Sequence, residues 1–229
     1  MITVYGEGRG FRVVWLLEEM GLPYKLRPVD LLAGVENDPE YLAINPSGFI
    51  PALQDDDIVM VESTAIMAYL TGRYGPTDLA PNPQDAAYAL YQQFLHFGEA
   101  SLAVPYYIYA VTQFAAPEDA RDNWSANFGR DIFRNRMKLV TRQLERAPYI
   151  AGDTFTAADI SVTYALEFTQ RHGFEHQQTA LDYLARVTSR DGYSRAMDVC
   201  KTPKRLPSAQ RRISRFPANA ASIWPCSCL

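Results

Sequence analysis

Glu62-Ser63 stands where the apolar run Ile58 to Val61 gives way to a helical pattern. Unsatisfied N–H groups and the positive end of a helix gather at Ser63 and favour a carboxylate, while the Glu62 carboxylate can take an ammonium group. The same pair also reads as an ordinary N-cap serine with an acidic neighbour. Cys200, Cys226 and Cys228 all fall in the last thirty residues, which excludes a disulfide framework or a protein-borne cysteine nucleophile in the folded body. Thiol chemistry would need a thiol that is bound rather than built in. His96 and His172 have no carboxylate or cysteine partner at ligand spacing, so no metal site is expected. Thr156 and Asp159 have the spacing of a capping box, with Asp in place of Glu or Gln, and are assigned to helix stability rather than to chemistry.

These residues need elements to carry them. Ile2 to Tyr5 reads as a strand, and Gly6-Glu7-Gly8-Arg9-Gly10 as a turn into a helix from Phe11 to Met20 that Gly21 stops. Tyr24 to Val29 is a second strand, completing a βαβ unit. A short helix lies near Pro39 to Ile44. Pro51 to Gln54 and Ile58 to Val61, split by Asp55-Asp56-Asp57, form a hairpin. A helix with Ile66, Met67, Leu70 and Tyr74 on one face follows. The order βαβ, α, ββ, α gives a small mixed sheet.

Four residues, Gly75, Pro76, Pro81 and Pro83, punctuate a linker. Beyond it the pattern is helical: Asp85 to about Phe114 with a bend or division at Pro105, then Pro117 to Arg146, Ala157 to Arg171, Gln177 to Ser189 and Tyr193 to Asp198. The expected boundaries are 1–75 for an α/β domain, 76–84 for the linker, 85–198 for an all-α domain, and 199–229 for a basic, poorly ordered tail whose abrupt change of composition could reflect a reading-frame artefact.

Of the 22 basic residues, Lys201, Lys204, Arg205, Arg211, Arg212 and Arg215 follow the last acidic one, Asp198, leaving 16 against 26 acidic residues, a net −10, in residues 1–199. A body so acidic excludes a nucleic-acid-binding core. The start Met1-Ile2-Thr3-Val4-Tyr5 lacks the features of a secretory signal, and no stretch has the apolar length of a membrane span. A cytoplasmic protein that binds neither nucleic acid nor membrane is expected.

Four stretches resemble the cytosolic glutathione transferase family, bacterial and fungal members in particular, and together span residues 1 to about 197. They are Gly8-Arg9-Gly10-Phe11-Arg12-Val13-Val14-Trp15-Leu16-Leu17-Glu18-Glu19, Asn45-Pro46-Ser47-Gly48-Phe49-Ile50-Pro51-Ala52-Leu53, Glu62-Ser63-Thr64-Ala65-Ile66 and Phe155-Thr156-Ala157-Ala158-Asp159-Ile160. The resemblance implies a thioredoxin-like N-terminal βαβ-α-ββα domain and a C-terminal helical bundle, a homodimer, and glutathione as cosubstrate for attack on a small hydrophobic electrophile in detoxification.

It also implies site residues. Ile50-Pro51 would be cis, exposing the Ile50 N–H and C=O so that extended glutathione pairs with that edge as one more strand; a proline merely opening an edge strand is the bland alternative. Glu62 and Ser63 would take the γ-glutamyl ammonium and carboxylate, and Gly10 and Phe49 would complete the glutathione site. Many relatives stabilise the thiolate with a serine before the arginine of the first turn. Gly8 occupies that position here, and no Ser or Cys precedes Ser47. Tyr5, at the end of the first strand, and Arg9 are the catalytic candidates, with backbone N–H groups from Gly8 to Phe11 as an alternative. Phe49 replaces the polar residue common before the hydrophobic-Pro pair; it can shield the thiol but cannot pair with the glycyl carboxylate. Tyr106 and Tyr107, beside Pro105, are the candidates for the hydrophobic substrate surface.

A catalytically silent binding module of the same family is the competing reading, motivated by Gly8. A third treats the basic tail as an arm for anionic partners. Cys226-Ser227-Cys228-Leu229 invites comparison with a prenylation box, but its serine and the bacterial look of the chain argue against lipidation.

Overall fold

The computed structural model describes residues 1–31 and 34–201. In chain order these form β1 (Ile2–Tyr5), α1 (Glu7–Met20), β2 (Tyr24–Arg27), a 3-10 turn (Val35–Asn37), α2 (Pro39–Ile44), β3 (Ala52–Asp55), β4 (Ile58–Val61) and α3 (Ser63–Arg73). There follow α4 (Tyr88–Phe97), a π-helical turn (Gly98–Ala103), α5 (Val104–Ala115), α6 (Glu118–Arg121), α7 (Trp124–Leu144), α8 (Ala157–Arg171), α9 (Gln178–Thr188) and α10 (Asp191–Lys201). The chain divides into two compact units, one holding Met1–Met67 with α10, the other Ala68–Arg190.

The first unit carries a four-stranded sheet of order β2-β1-β3-β4, with β1 parallel to β2 and antiparallel to β3, and β3 antiparallel to β4. This is the expected thioredoxin-like arrangement. The register pairs Tyr5 with Ala52 and Ala52 with Val61, so the exit from β1, the entry to β3 and the exit from β4 share one end of the sheet. Period-2 alternation sends Val4 and Leu53 to one face and Tyr5 and Ala52 to the other. Tyr5, Val29, Tyr41, Ile50 and Ala52 form a buried cluster there, with Leu31, Val35 and Ile44 packed against it.

Helix α1 begins at Glu7, four residues before the expected Phe11. Gly6 takes φ 84°, which breaks the strand in one residue, and its N–H still donates to the Arg27 carbonyl at 2.9 Å. The helix therefore starts directly after the sheet instead of after a turn. At the other end of this unit α10 runs through Lys201, beyond the expected Asp198, because Tyr193 packs edge-to-face on Trp15 (4.9 Å) and Phe11 (5.6 Å) while Arg195 donates to Glu18 Oε2 at 2.8 Å. Cys200 is buried here. The expected tail after residue 201, with Cys226 and Cys228, lies outside the described residues.

The second unit is helical, as expected, with two differences in its breaks. Pro105 does not end a helix: the wider π-helical turn at Gly98–Ala103 precedes it, and Pro105 falls in the first turn of α5. The span from Pro117 to Arg146 is divided, since the Asn123 side chain accepts the Ala126 N–H at 2.9 Å and starts α7 afresh. Helix α8 is buried along most of its length. Asp159 opens it by accepting the Thr156 and Ile150 N–H groups, each at 2.8 Å, and the Tyr183 hydroxyl at 2.9 Å. The reciprocal capping box with Thr156 is complete. Close approach of the π-helical turn to α8 requires glycine at position 98, where a Cβ would lie 2.4 Å from Ser161 Oγ.

Candidate functional site

Three segments meet at the shared end of the sheet. Gly6 leads from β1 into α1, Ile50-Pro51 leads into β3, and Glu62-Ser63 leads from β4 into α3. Gly6 and Ile50 touch closely enough that a Cβ at position 6 would lie 2.4 Å from Ile50 Cγ2. A Cβ at Gly10 would lie 3.5 Å from Pro51 Cβ. The Ile50-Pro51 peptide bond is cis, as the resemblance implied.

Glu62 adopts φ 69°, a left-handed conformation uncommon for a residue with a side chain. Its carbonyl accepts the Ile66 N–H at 2.8 Å, so Glu62 is the residue flanking the helix and Ser63 its first member. Ser63 is thus inside α3 and buried, while Glu62 is exposed. The first-turn N–H groups of α3 and of α1 have no carbonyl one turn earlier to receive them, which leaves two partial positive charges at this end of the sheet.

Phe49 is 69% exposed, its side chain turned outward, while its carbonyl accepts from Asn45 Nδ2 at 2.6 Å and from the Tyr41 hydroxyl. Ile50 has the opposite disposition: its side chain is buried in the cluster with Tyr5 and Tyr41.

Two expected site residues have other surroundings. The Tyr5 hydroxyl, a candidate partner for a thiolate, donates to Gln54 Oε1 at 2.9 Å. Gln54 is opposite Thr3 in the register, two residues along β3 from Ala52, the partner of Tyr5, so the hydroxyl is engaged by a side chain of the sheet itself. Its ring lies 5.9 Å from that of Tyr41, and the Arg27 guanidinium lies 5.8 Å from the ring centroid. Tyr106, a candidate for a substrate surface, is core in the helical unit: its ring meets Phe133 at 5.1 Å and its hydroxyl donates to the His172 carbonyl at 3.1 Å. Burial pushes this phenol's pKa up to about 12. The aromatic periodicity of α5 served packing there. Tyr107 is half-buried in the same unit, 6.3 Å from the Phe168 ring. Arg9 is half-buried in the first turn of α1, and Gly10 is buried.

Gly6, Tyr41 and Asn45 escaped sequence reasoning as contributors. Asn45 had a signal in its place before Pro46. Tyr41, in a helix of six residues, had none beyond being the aromatic of α2. Among the described residues no group of His, Cys, Asp and Glu is placed to hold a metal ion, and no helix is long and apolar enough to cross a membrane. A surface groove of about 670 Å³ lined by Glu18, Leu22, Tyr24, Lys25 and Val199 contains none of the candidate residues.

The glutathione S-transferase N-terminal domain family matches residues 10–73. The chain is 30% identical over 181 residues to glutathione S-transferase 3 of Schizosaccharomyces pombe, covering 71% of each protein. It is 36% identical to glutathione S-transferase 3 of Zea mays, covering 65% of this chain and 68% of that one. The crystal structure of a Phanerochaete chrysosporium glutathione transferase in complex with oxidized glutathione matches with a TM-score of 0.77 at 25% identity, covering 86% of this chain and 95% of that one. With identity and coverage of this extent on a shared fold, the chain belongs to the glutathione S-transferase family.

Proposed function

We propose that this chain is a glutathione transferase that binds glutathione at the shared end of the sheet and directs its thiolate at a small hydrophobic electrophile. The observation that carries the reading is the convergence there of the cis Ile50-Pro51 entry, the start of α1 and the Glu62-Ser63 entry to α3. The Ile50 main chain pairs with the cysteinyl residue of extended glutathione as an added strand. Ser63 and the first-turn amides of α3 receive the γ-glutamyl carboxylate, and Glu62 its ammonium group. Phe49 covers the thiol from outside, and Gly10 lets the ligand approach α1.

The thiol loses its proton to solvent, and the thiolate is held by the free first-turn amides of α1, from Glu7 to Arg9, with the charge of Arg9 nearby. The sulfur lone pair then attacks an electrophilic carbon and expels its leaving group, a halide in the simplest substrates. Tyr107 contributes to the surface for the electrophile. A cytoplasmic homodimer belongs to the same reading.

The alternative, a module that binds glutathione without turnover, is favoured by one observation: Tyr5, the hydroxyl nearest the start of α1 in sequence, is engaged by Gln54. Retention on immobilised glutathione together with turnover of an aryl halide separates the two. Binding without turnover across an electrophile panel selects the silent module. Ser63→Ala tests the site itself. Losing a hydrogen bond to a charged group costs about 1.5 to 3 kcal/mol, so glutathione affinity should fall about 10- to 100-fold with a much smaller change in the urea midpoint. Unchanged affinity removes Ser63 from the site.

A further inference from the structure

The residues behind Ile50 form a connected set that the proposed glutathione site does not itself use. Tyr41 is fully buried, with its hydroxyl donating to the Phe49 carbonyl. The same oxygen accepts Asn45 Nδ2 at 2.6 Å, and Asn45 Oδ1 accepts the Ser47 N–H at 3.1 Å and the Ser47 hydroxyl at 2.7 Å. Two donors therefore converge on one carbonyl while Asn45 closes the turn that leads to it. A buried phenol is costly unless hydrogen-bonded, and this one is committed to the backbone atom directly preceding Ile50.

The peptide unit supplies the link to function. The Phe49 C=O and the Ile50 N–H belong to one planar group, which is trans, since among the described residues only Ile50-Pro51 and Gly75-Pro76 are cis. In a trans peptide the two groups point in opposite directions. Drawing the Phe49 oxygen toward Tyr41 and Asn45 consequently aims the Ile50 N–H away from the buried cluster. Tyr41 is itself anchored. Asp38 accepts the Tyr41 N–H at 2.9 Å at the start of α2, and Arg27 reaches Asp38 through both guanidinium nitrogens at 2.9 and 2.7 Å. The Arg27 bonds hold the Asp38 carboxyl below the usual carboxylate range.

We propose that Tyr41 is a positioning residue: with Asn45 it orients the Phe49–Ile50 peptide so that the Ile50 N–H faces the cysteinyl backbone of glutathione. This rests on the glutathione reading given above.

Tyr41→Phe keeps the ring and removes the donor. Loss of one neutral hydrogen bond should weaken reduced glutathione about 3- to 10-fold by calorimetry, and leave the KM for a chlorodinitrobenzene unchanged at saturating glutathione. A role confined to stability would shift the urea midpoint and leave this selective loss absent. In the ligand-free protein the Ile50 amide resonance should move or broaden while those of α1 from Val13 onward stay in place. Asn45→Asp, which keeps the turn-closing acceptor and removes the Nδ2 donor, is the second variant and should act in the same direction. Glutathione affinity within twofold of wild type in both variants, or an equal rise in the KM for the electrophile, overturns the assignment. Should the wild-type protein ignore glutathione, the proposed function fails and the positioning role toward glutathione falls with it; an unmoved Ile50 amide in ligand-free Tyr41→Phe, in a wild type that does bind glutathione, overturns the positioning role alone.

Discussion

The Ile50 side chain occupies the space that a side chain at Gly6 would need, with Ile50 Cγ2 only 2.4 Å from where a Cβ would stand. One contact thereby joins the exit of β1 to the entry of β3. It also requires both properties of glycine at once, since Gly6 takes φ 84° and has no Cβ.

Gly6→Ala should therefore be costly twice over. The backbone at φ 84°, ψ 111° lies outside the left-handed helical region and costs alanine about 1 to 3 kcal/mol, and overpacking against Ile50 adds about 1 to 3 kcal/mol. A total loss of about 2 to 6 kcal/mol should appear in urea unfolding. Displacing Ile50 should also weaken glutathione more than a core substitution of equal cost in the helical unit, such as Val140→Ala. Equal affinities in the two variants would separate Gly6 from the site.

The sheet was legible in the sequence because its signals are local. Alternation in Ile2 to Tyr5 and the Asp55-Asp56-Asp57 turn need no distant partner to be read. The start of α1 was not legible: three glycines among residues 6 to 10 look like a turn by composition, and only Gly6 is used as one. The other two are tolerated in a helix whose first turn lies against Val4 and Pro51. The placement of Ile50 and Ser63 at the shared end of the sheet was readable from motif spacing, because it depends on the backbone and on where α3 starts. Tyr5 and Tyr106 were not, because a tyrosine's sequence context does not say where its hydroxyl points. The partners that fix them, Gln54 and the His172 carbonyl, are 49 and 66 residues away.

Asp159 gives a pH-dependent prediction. Burial is the largest influence on its carboxyl and pushes its pKa up to about 6, against the hydrogen bonds from Ile150, Thr156 and Tyr183 that pull it down. A folded-state value above the unfolded one, about 3.9, means the folded protein binds this proton more tightly. The associated stability is fully present below about pH 4 and is lost as pH rises through about 6. Between pH 7.5 and pH 5 the wild type should gain about 1 kcal/mol relative to Asp159→Asn, which cannot take up the proton. Urea midpoints of both proteins at the two pH values measure this, and contributions from other carboxylates cancel in the comparison. Parallel pH dependences would show that the hydrogen bonds and not burial govern the group. Asp159→Asn should be less stable at both pH values, because an amide placed among donors leaves some unsatisfied.

The origin of thiolate stabilisation is decided by comparing Tyr5 with Arg9. The Tyr5 hydroxyl is held by Gln54 at 2.9 Å. Tyr5→Phe keeps the ring against Tyr41 and removes only that bond. If the first-turn amides of α1 and the Arg9 charge hold the sulfur, the pKa of bound glutathione and the rate at neutral pH should both stay near their wild-type values in Tyr5→Phe. Arg9→Ala should instead raise the bound thiol toward the free value of about 8.5, and its rate should fall at neutral pH and recover as pH rises. Thiolate absorbance of the protein–glutathione complex follows both titrations without a natural substrate. A raised pKa in Tyr5→Phe would mean that the phenol leaves Gln54 when glutathione binds and donates to the sulfur. Tyr5 would then be the catalytic hydroxyl, and the silent-module reading would lose the observation that favours it.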